Sequence, residues 1–356
     1  MRIDLMKPRL PTYDQLAPYI KSIDKNGFYT NFGPLNEELI SRLSIYFKVS
    51  TKNLHTVSNA TQGINGAVQI LNSFEVDNEE KFWDLPSWTF AATPAALLQA
   101  HAQGQFCDVD SEWRVTPSFT TNKIIDVLPF GDTLRKNPIL SSYKYKIIDG
   151  AASFDALKNI GDTLDSNTIL VISMHATKLL AGGEGGIVIT KNNDWSDQFH
   201  SWTNFGFTKT RNSVNKGTNA KISEYTAAIT LASLDQWEST KTKIMKNSNL
   251  AIEITNDLKL TTNPSLQAGL ATPYWIINCG SVAQKMKFIS SLKAKEVQYR
   301  DWWESGCHKM EAFASIRRSN LINSELLAST TIGLPFHYHM EDKDFTLIHG
   351  LLKSLI

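Results

Sequence analysis

Short apolar runs that end in polar or turn residues are the feature of this sequence that most restricts its fold. Examples are IIDVLPFG (124–131), KYKIIDG (144–150) and NTILVISM (167–174). Runs of this kind are typical of parallel strands buried on both faces. Strands and helices alternate in the segment before these runs, which predicts a strand at 81–86, a helix at 90–102 and a strand at 104–110. The alternation predicts βαβ units and therefore an α/β fold with a mostly parallel sheet.

The pattern changes near residue 222. Residues 222–258 contain neither glycine nor proline, which predicts one long, bent helix that connects two parts of the chain. The elements predicted beyond it are strands at 272–280 and 331–336, a helix at 282–295 and a C-terminal helix with its apolar face on Phe345, Ile348, Leu351, Leu352 and Leu355. We therefore predict a large α/β domain at 1–235 and a smaller α+β domain at 236–356.

Composition excludes several classes of function. The 36 basic and 35 acidic residues give a net charge of +1, without the clustered basic surface that nucleic-acid binding needs. No run of about 18 apolar residues occurs, so we expect no membrane span. Cys307-His308 and His337-x-His339 lack further ligands at metal-site spacing, so no metal is expected.

The cysteines and the N-terminus bear on the compartment. The 3 cysteines are odd in number and far apart, which argues against a disulfide framework and favours a reducing environment. The first residues, MRIDLMKPRLPTYDQL, have no apolar core of signal-peptide type. These two features predict a cytoplasmic protein.

Lys178 lies between two apolar runs, beside a loop whose glycines flank Glu184. Because burying a lysine lowers its pKa, a strand-end lysine can become a nucleophile toward carbonyl groups. Neighbouring glycines would let the backbone approach a flat cofactor closely. The pattern raises the hypothesis of a Schiff-base lysine. The alternative is a solvated loop residue, since most lysines are exposed.

Two further segments supply partners for such a cofactor. Asp149 ends a predicted strand, where its carboxylate could pair with a protonated pyridine nitrogen. SNATQG (58–63) begins a predicted helix, whose free N–H groups could bind a phosphate. Each segment also has a simpler interpretation as a turn or a helix cap. Together with Lys178 they offer, in chain order, an anchor for phosphate, a partner for a ring nitrogen and an amine.

The sequence resembles a known family over almost its whole length. The segments that carry the resemblance are GFYTNFGPLNEELISRLSIYFKVS, TVSNATQGINGAVQIL, LPSWTFAATPAALLQAHAQGQFCDVD, SMHATKLLAGGEGGIVIT and KGTNAKISEYTAAITLASLDQW. They are similar to the sugar aminotransferases of the DegT/DnrJ/EryC1/StrS group. These are pyridoxal-phosphate (PLP) enzymes of the aspartate-aminotransferase fold, fold type I, that build amino sugars on nucleotide carriers.

The resemblance implies roles around the cofactor ring. Lys178 corresponds to the lysine that binds PLP covalently and then moves a proton as general base and acid. Asp149 corresponds to the partner of the pyridine nitrogen. Phe90 corresponds to the aromatic residue stacked on the ring, and Trp88 is the second candidate for that place and for a substrate contact.

The resemblance also implies how the phosphate is held. Ala60 and Thr61, through their backbone amides, and Ser173 correspond to its ligands. Asn219 corresponds to a phosphate contact contributed by the other subunit, which implies a homodimer with shared active sites. Glu184 corresponds to a residue that shapes the glycine turn or the amine end of the pocket.

RDWWESGCHKM (300–310) falls in the part of the family that often meets the nucleotide sugar. Arg300 is a candidate phosphate contact, His308 a candidate hydrogen-bond partner, and Trp302 or Trp303 a candidate stacking surface. If this segment is a strand, the two tryptophans face opposite sides and have different environments. The alternative for the tryptophans is a place in the core of the small domain.

Two positions depart from the family pattern. Ala152 stands where Gln or His usually lies near the phenolic oxygen of PLP, so either Ser153 substitutes or the cofactor is tuned differently. Phe205 stands where the family often has histidine, between Asn204 and Gly206. Lys178 itself argues against the dehydratase branch, in which histidine replaces the lysine.

From the resemblance we predict an aminotransferase that uses PLP and a ping-pong mechanism. Glutamate would donate the amine to a nucleotide-linked keto sugar, a dTDP-4-keto-6-deoxyhexose aminated at C4, for O-antigen or another surface polysaccharide. Two alternatives remain: a C3 aminotransferase acting on a 3-keto sugar nucleotide, and a non-catalytic protein that binds PLP or a sugar nucleotide.

Overall fold

The predicted strands form one large sheet. A computed structural model describes residues 2–74, 82–117, 121–135 and 138–356 of the chain. Its strands are β1 (Leu54–Val57), β2 (Phe82–Pro86), β3 (Gln103–Cys107), β4 (Lys123–Val127), β5 (Tyr145–Asp149), β6 (Thr168–Ser173), β7 (Gly186–Thr190) and β10 (Arg317–Arg318). They form an 8-stranded sheet in the order β1-β7-β6-β5-β4-β2-β3-β10. Strand β7 runs antiparallel to β1 and β6. The other neighbouring strands, in the order β6-β5-β4-β2-β3-β10, are parallel. The predicted α/β fold with a mostly parallel sheet is therefore confirmed.

Helices cover both faces of this sheet, which is why the strands β4, β5, β6 and β7 are buried at every residue. The helices are α1 (Tyr13–Asn26), α2 (Pro34–Phe47), α3 (Ala60–Ser73), α4 (Ala92–Gln99), α6 (Asn193–Thr203) and α7 (Glu224–Asp235). Along β6, Ile169 and Val171 pack with α3 and α6, whereas Leu170 and Ile172 pack with α2 and α7. Alternate residues of one strand therefore belong to two separate cores.

The helix predicted at 222–258 is two helices. Helix α7 ends at Asp235, and α8 (Trp237–Asp257) begins after Gln236, whose φ of −94° and ψ of 2° depart from helical values. Ser223 caps α7 by accepting a hydrogen bond from the Thr226 N–H. The predicted bend lies at Gln236, and α8 leads from the large sheet to the second one.

The second sheet is small and antiparallel. Its strands are β8 (Thr261–Thr262), β9 (Trp275–Asn278) and β11 (Thr331–Leu334), in the order β11-β9-β8. The nearby helices are α9 (Pro264–Gln267), α10 (Val282–Ala294), α11 (Ile322–Thr330) and α12 (Asp342–Lys353), and the short α5 (Pro138–Ser141) lies in the first half of the chain. Trp275, Phe288 and Phe345 share one core that is separate from those of the large sheet.

Each of the two predicted domains contains a short segment that pairs with the other. Strand β10, from the C-terminal third, pairs with β3 of the large sheet, whereas Ile3 near the N-terminus pairs with Val297. The division into 1–235 and 236–356 stays a prediction.

Two predictions from the sequence concern membrane spans and the state of the cysteines. Within the described ranges, no helix has both the length and the apolar character needed to cross a membrane. Cys107, Cys279 and Cys307 are all buried free thiols. Burial raises the pKa of both Cys279 and Cys307 to about 12.

Candidate active site

A cleft of about 330 Å³ lies where the carboxyl ends of β4, β5 and β6 meet the second sheet. The ends of parallel strands are the usual place for a ligand in an α/β fold, because helix N-termini and loops converge there. Eight of the predicted site residues line this cleft: Ala60, Thr61, Phe90, Asp149, Ser173, Lys178, Arg300 and Trp302.

Asp149 is the last residue of β5, and its side chain is buried. Its Oδ2 accepts a hydrogen bond from the Thr93 hydroxyl at 2.6 Å, and its Oδ1 accepts one from the Ala151 N–H at 3.1 Å. Burial raises the pKa of Asp149, although these two bonds and the charge of Lys178 oppose the rise. The carboxylate is therefore oriented by neutral donors, and within the described ranges it forms no ion pair. Sequence reasoning missed Thr93, since nothing distinguishes a threonine inside an apolar helix.

Lys178 lies in the turn that follows β6 and is half-buried. Its Nζ donates a hydrogen bond to the Tyr274 hydroxyl at 2.7 Å. In the glycine loop, Gly183 and Gly185 have φ of 85° and 151°, which side chains rarely adopt. A Cβ at Gly182 would collide with the Thr230 hydroxyl of α7. These glycines thus shape the turn that presents Lys178.

The start of α3 supplies backbone donors to the same cleft. Asn59 caps the helix by accepting a hydrogen bond from the Gln62 N–H at 2.9 Å. Ala60 and Thr61 form the first turn, where N–H groups have no partner within the helix. Ser173, at the end of β6, lines the cleft too. The positive end of a 14-residue helix and these donors can bind an anion.

Opposite Lys178 stands a group of aromatic side chains, which we call the aromatic wall: Phe130, Tyr274, Trp302 and Trp303. Phe130 stacks on Trp303 with ring centroids 4.2 Å apart, and Tyr274 meets Trp302 edge-on at 5.0 Å. The Phe130 backbone has a φ of 54°, and its carbonyl oxygen accepts hydrogen bonds from Ser265 and Thr272. The wall is therefore held by residues beside the second sheet. The sequence analysis assigned no role to Phe130 or Tyr274.

The strand expected around Trp302 and Trp303 is wrong. Residues 302–305 form a turn in which Trp303 has a φ of 60°, so the two indoles are not on opposite faces. Both line the cleft. Arg300 is exposed, and its guanidinium lies 5.0 Å from the centre of the Trp302 ring. A Cβ at Gly333 would collide with the Trp302 indole, so β11 admits Trp302 only because that position is glycine.

Two predicted contacts lie behind the wall. Trp88 is only 1% exposed and packs edge-on against Trp303, outside the lining of the cleft. His308 is also buried; it shares one hydrogen bond with Ser87 at 2.5 Å and another with Glu325 at 3.2 Å. Trp88 supports the wall through its contact with Trp303, whereas His308 is held by Ser87 and Glu325. Both side chains lie outside the lining of the cleft, and their roles as cofactor or substrate contacts stay predictions.

The remaining predicted positions fall at the rim or outside. Phe90 is 59% exposed and offers a ring face to the cleft. Glu184 is exposed at the rim, with Oε1 3.6 Å from Nε2 of His175. Ala152 lines the cleft, but Ser153 is fully buried outside it and does not take the place of the missing Gln or His.

Asn219 is exposed and lies outside the lining of the cleft in its own chain. It forms a backbone bridge with Asn204. Its role across a subunit boundary stays a prediction. As for metals, the part of the chain that the structure describes holds no group of three His, Cys, Asp or Glu side chains placed to bind an ion.

The fold and the cleft define a class. A mostly parallel α/β sheet with a lysine, a buried aspartate and a helix N-terminus at its strand ends is the arrangement of the PLP-dependent transferases of fold type I. The profile of the DegT/DnrJ/EryC1/StrS aminotransferase family matches residues 13–126 and 145–353, and the chain belongs to this family.

Individual relatives are distant in sequence. A Mycobacterium tuberculosis protein is 26% identical, over 99% of this chain and 90% of its own. A dTDP-4-amino-4,6-dideoxy-D-glucose transaminase of Shigella dysenteriae is 26% identical, over 67% of this chain and 66% of its own.

Solved structures share the fold over nearly the whole chain. A Bacillus cereus protein assigned as a PLP-dependent aminotransferase aligns with a TM-score of 0.86 at 22% identity, over 99% of this chain and 100% of its own. DesI, crystallised with its TDP-sugar product, aligns with a TM-score of 0.83 at 24% identity, over 99% of this chain and 92% of its own.

Proposed function

We propose that this protein is a PLP-dependent aminotransferase that transfers an amino group from glutamate to a nucleotide-linked keto sugar. One observation carries the proposal: a single cleft unites an amine, a buried carboxylate and a helix N-terminus with an aromatic wall. The amine can attach PLP, the carboxylate can pair with its ring nitrogen, and the helix N-terminus can bind its phosphate. The aromatic wall can pack against the face of a sugar. Membership of the family and the transaminase activity of the Shigella relative support the same interpretation.

The residues present fit PLP. Asp149 is a buried carboxylate whose two bonds come from neutral donors, so it retains acceptor capacity for a cationic ring nitrogen. Phe90 offers an exposed ring at the cleft for stacking. When bound, the cofactor would supply an electron sink for the carbon that carries the amine.

The phosphate end would lie at the start of α3. The backbone amides of Ala60 and Thr61 and the hydroxyl of Ser173 are the donors that would hold it. This part of the cleft is built from backbone and small side chains, so an anion can approach the helix end closely.

Lys178 would attach the cofactor and act as the acid and base of the reaction. Its Nζ reaches the cleft between Asp149 and the aromatic wall. A positioned amine can take a proton from one carbon and return it to another, and general acid–base help of this kind contributes about 10²–10⁴-fold.

The keto sugar would lie between Lys178 and the aromatic wall. Aromatic faces suit the apolar face of a 6-deoxy sugar, and the exposed Arg300 guanidinium suits a diphosphate. From the Shigella transaminase we take a dTDP-4-keto-6-deoxyhexose as acceptor and C4 as the aminated carbon. The product would then serve O-antigen or another surface polysaccharide, made in the cytoplasm, where buried free cysteines stay reduced.

We propose that the active sites are shared within a homodimer. Asn219 is exposed and is not among the residues that line the cleft of its own chain, as expected for a residue that completes the site of a partner. Exposed aromatic side chains at Tyr29, Phe205 and Tyr225 support a further apolar contact.

Complementation tests the shared site. Lys178→Ala and Asn219→Ala homodimers are each expected to be weakly active. Mixing the two variants under subunit exchange should restore activity, because one site of the heterodimer then has both native residues. Failure of exchanged heterodimers to regain activity would remove the shared site.

The activity itself is tested with glutamate and a panel of nucleotide-linked 3-keto and 4-keto sugars. Product masses identify the acceptors, and NMR locates the nitrogen. Amination at C4 of a dTDP-linked 6-deoxy sugar is expected. Amination at C3 would favour the 3-keto alternative. If the protein binds PLP but aminates no acceptor, the alternative of a non-catalytic binding protein is favoured.

A further inference from the structure

Tyr274 links the region of the second sheet to Lys178 at the strand ends of the first. It directly precedes β9, and it is 8% exposed. Phe130 and Trp302 meet the ring edge-on, with centroids 5.4 Å and 5.0 Å away. The ring therefore has little freedom, and its hydroxyl is held at a defined place in the cleft.

The hydroxyl contacts the reactive end of Lys178. The two heavy atoms, Lys178 Nζ and Tyr274 Oη, are 2.7 Å apart. Across the described ranges, Lys178 Nζ has no carboxylate partner and no other hydrogen-bond partner. The buried acidic group of the same cleft, Asp149, is turned toward Thr93 and the Ala151 amide.

A phenol differs from a carboxylate as a partner for lysine. A carboxylate only accepts, so it bonds to the ammonium and favours that form. A phenol both accepts and donates. It can accept from the ammonium, and it can donate its own proton to the lone pair of the neutral amine.

We propose that Tyr274 is a positioning residue for Lys178, keeping its Nζ in place in both protonation states. When Lys178 is the neutral amine, the Tyr274 O–H donates a hydrogen bond to the lone pair of Nζ. When Lys178 has taken up a proton, its ammonium donates a hydrogen bond to the Tyr274 oxygen. The phenol keeps its proton throughout, so protons balance. This inference rests on the proposed function for its catalytic consequence, but the contact itself concerns this chain alone.

The test is Tyr274→Phe, which removes only the hydroxyl and keeps the packed ring. The first measurement uses the cofactor-free protein. PLP is added, and the rate at which the protein binds it covalently is measured from the change in absorbance. Borohydride reduction and peptide mass spectrometry then confirm Lys178 as the attachment site. Without the hydroxyl, Nζ samples more orientations, so the capture rate should fall about tenfold.

The second measurement separates positioning from substrate binding. In Tyr274→Phe, kcat should fall about 10–100-fold, while KM for glutamate and for the keto sugar stays within about twofold. Tyr338→Phe is the matched control, since Tyr338 lies on the other side of Lys178, beside Arg9. The control should leave the capture rate and kcat unchanged.

The outcomes are distinguishable. If the wild-type protein captures no PLP and transfers no amine, the proposed function fails. If it does both and Tyr274→Phe matches it in capture rate and kcat, only the inference on Tyr274 fails. A change confined to KM would make Tyr274 a substrate contact and would also overturn the inference.

Discussion

The two sides of the cleft are built in different ways. One side, which we call the strand-end floor, consists of Asp149, Ser173, Lys178 and the first turn of α3. Asp149 and Ser173 are the last residues of buried strands, and Lys178 and α3 follow β6 and β1 within a few residues. The aromatic wall instead draws on a turn after β4, the residue before β9 and a turn at 302–305. A site can thus combine a part fixed by local pattern with a part that depends on distant packing.

The difference extends to polarity. The floor offers charges and backbone donors, whereas the wall offers ring faces with one exposed guanidinium, that of Arg300. Apart from the Tyr274 hydroxyl, which bonds to Lys178, chemistry belongs to the floor and the fit of the acceptor to the rings of the wall. Variants of the floor and variants that shift the rings of the wall should therefore change different kinetic constants.

The largest effect is expected on the floor. Lys178→Ala removes the amine, and we expect transamination to fall at least about 10³-fold because both attachment and proton transfer are lost. Circular dichroism and gel filtration should show an unchanged fold and dimer. Retained transamination would mean that the floor is not where the chemistry takes place.

A second floor variant, Asp149→Asn, should lower kcat about 10²-fold, because the ring nitrogen loses its anionic partner. It also makes a prediction on stability. Because burial raises the pKa of Asp149, folding favours its protonated form, and the carboxylate costs stability as pH rises through the folded-state pKa.

Denaturant unfolding of the cofactor-free proteins between pH 4 and pH 8 checks this, with the ordinary carboxyl pKa of about 3.9 as the lower reference. The free energy of unfolding of Asp149→Asn, relative to wild type, should improve as pH rises. A difference that is constant with pH would show that the carboxylate is not penalised by burial.

A variant that shifts an indole of the wall should act mainly on KM. Gly333→Ala pushes against the Trp302 indole, so KM for the keto sugar should rise about tenfold, with about 1–3 kcal/mol lost from stability by overpacking. Gly350→Ala in α12 is the matched control, because a Cβ there meets nothing within 4 Å. If both glycine variants behave alike, the position of Trp302 does not determine acceptor fit.

The smallest effect is expected behind the wall. His308→Gln disturbs the bonds to Ser87 and Glu325 but touches nothing in the cleft. The melting temperature should fall by a few degrees while KM for glutamate and the keto sugar stays within about twofold. A selective rise in KM for the keto sugar would return His308 to the list of substrate contacts.

Sequence reasoning located the floor because its signals are local. Apolar runs place Asp149 and Ser173 at strand ends, and the glycine turn marks Lys178. The same reasoning missed Thr93 and Tyr274, since each reaches its partner across more than fifty residues of chain. It also expected Trp88 and His308 to contact cofactor or substrate, whereas the structure buries both outside the lining of the cleft.

The sequence by itself determined the α/β class, the parallel strands, a helical connector after residue 222 and the residues of the floor. Periodicity and turn residues act over a few positions, so they are readable without a structure. Only the tertiary structure decided which aromatic rings face Lys178, because that depends on how a second sheet packs against the first. The hydrogen bond from Lys178 to Tyr274 arises at that junction, where no local pattern acts.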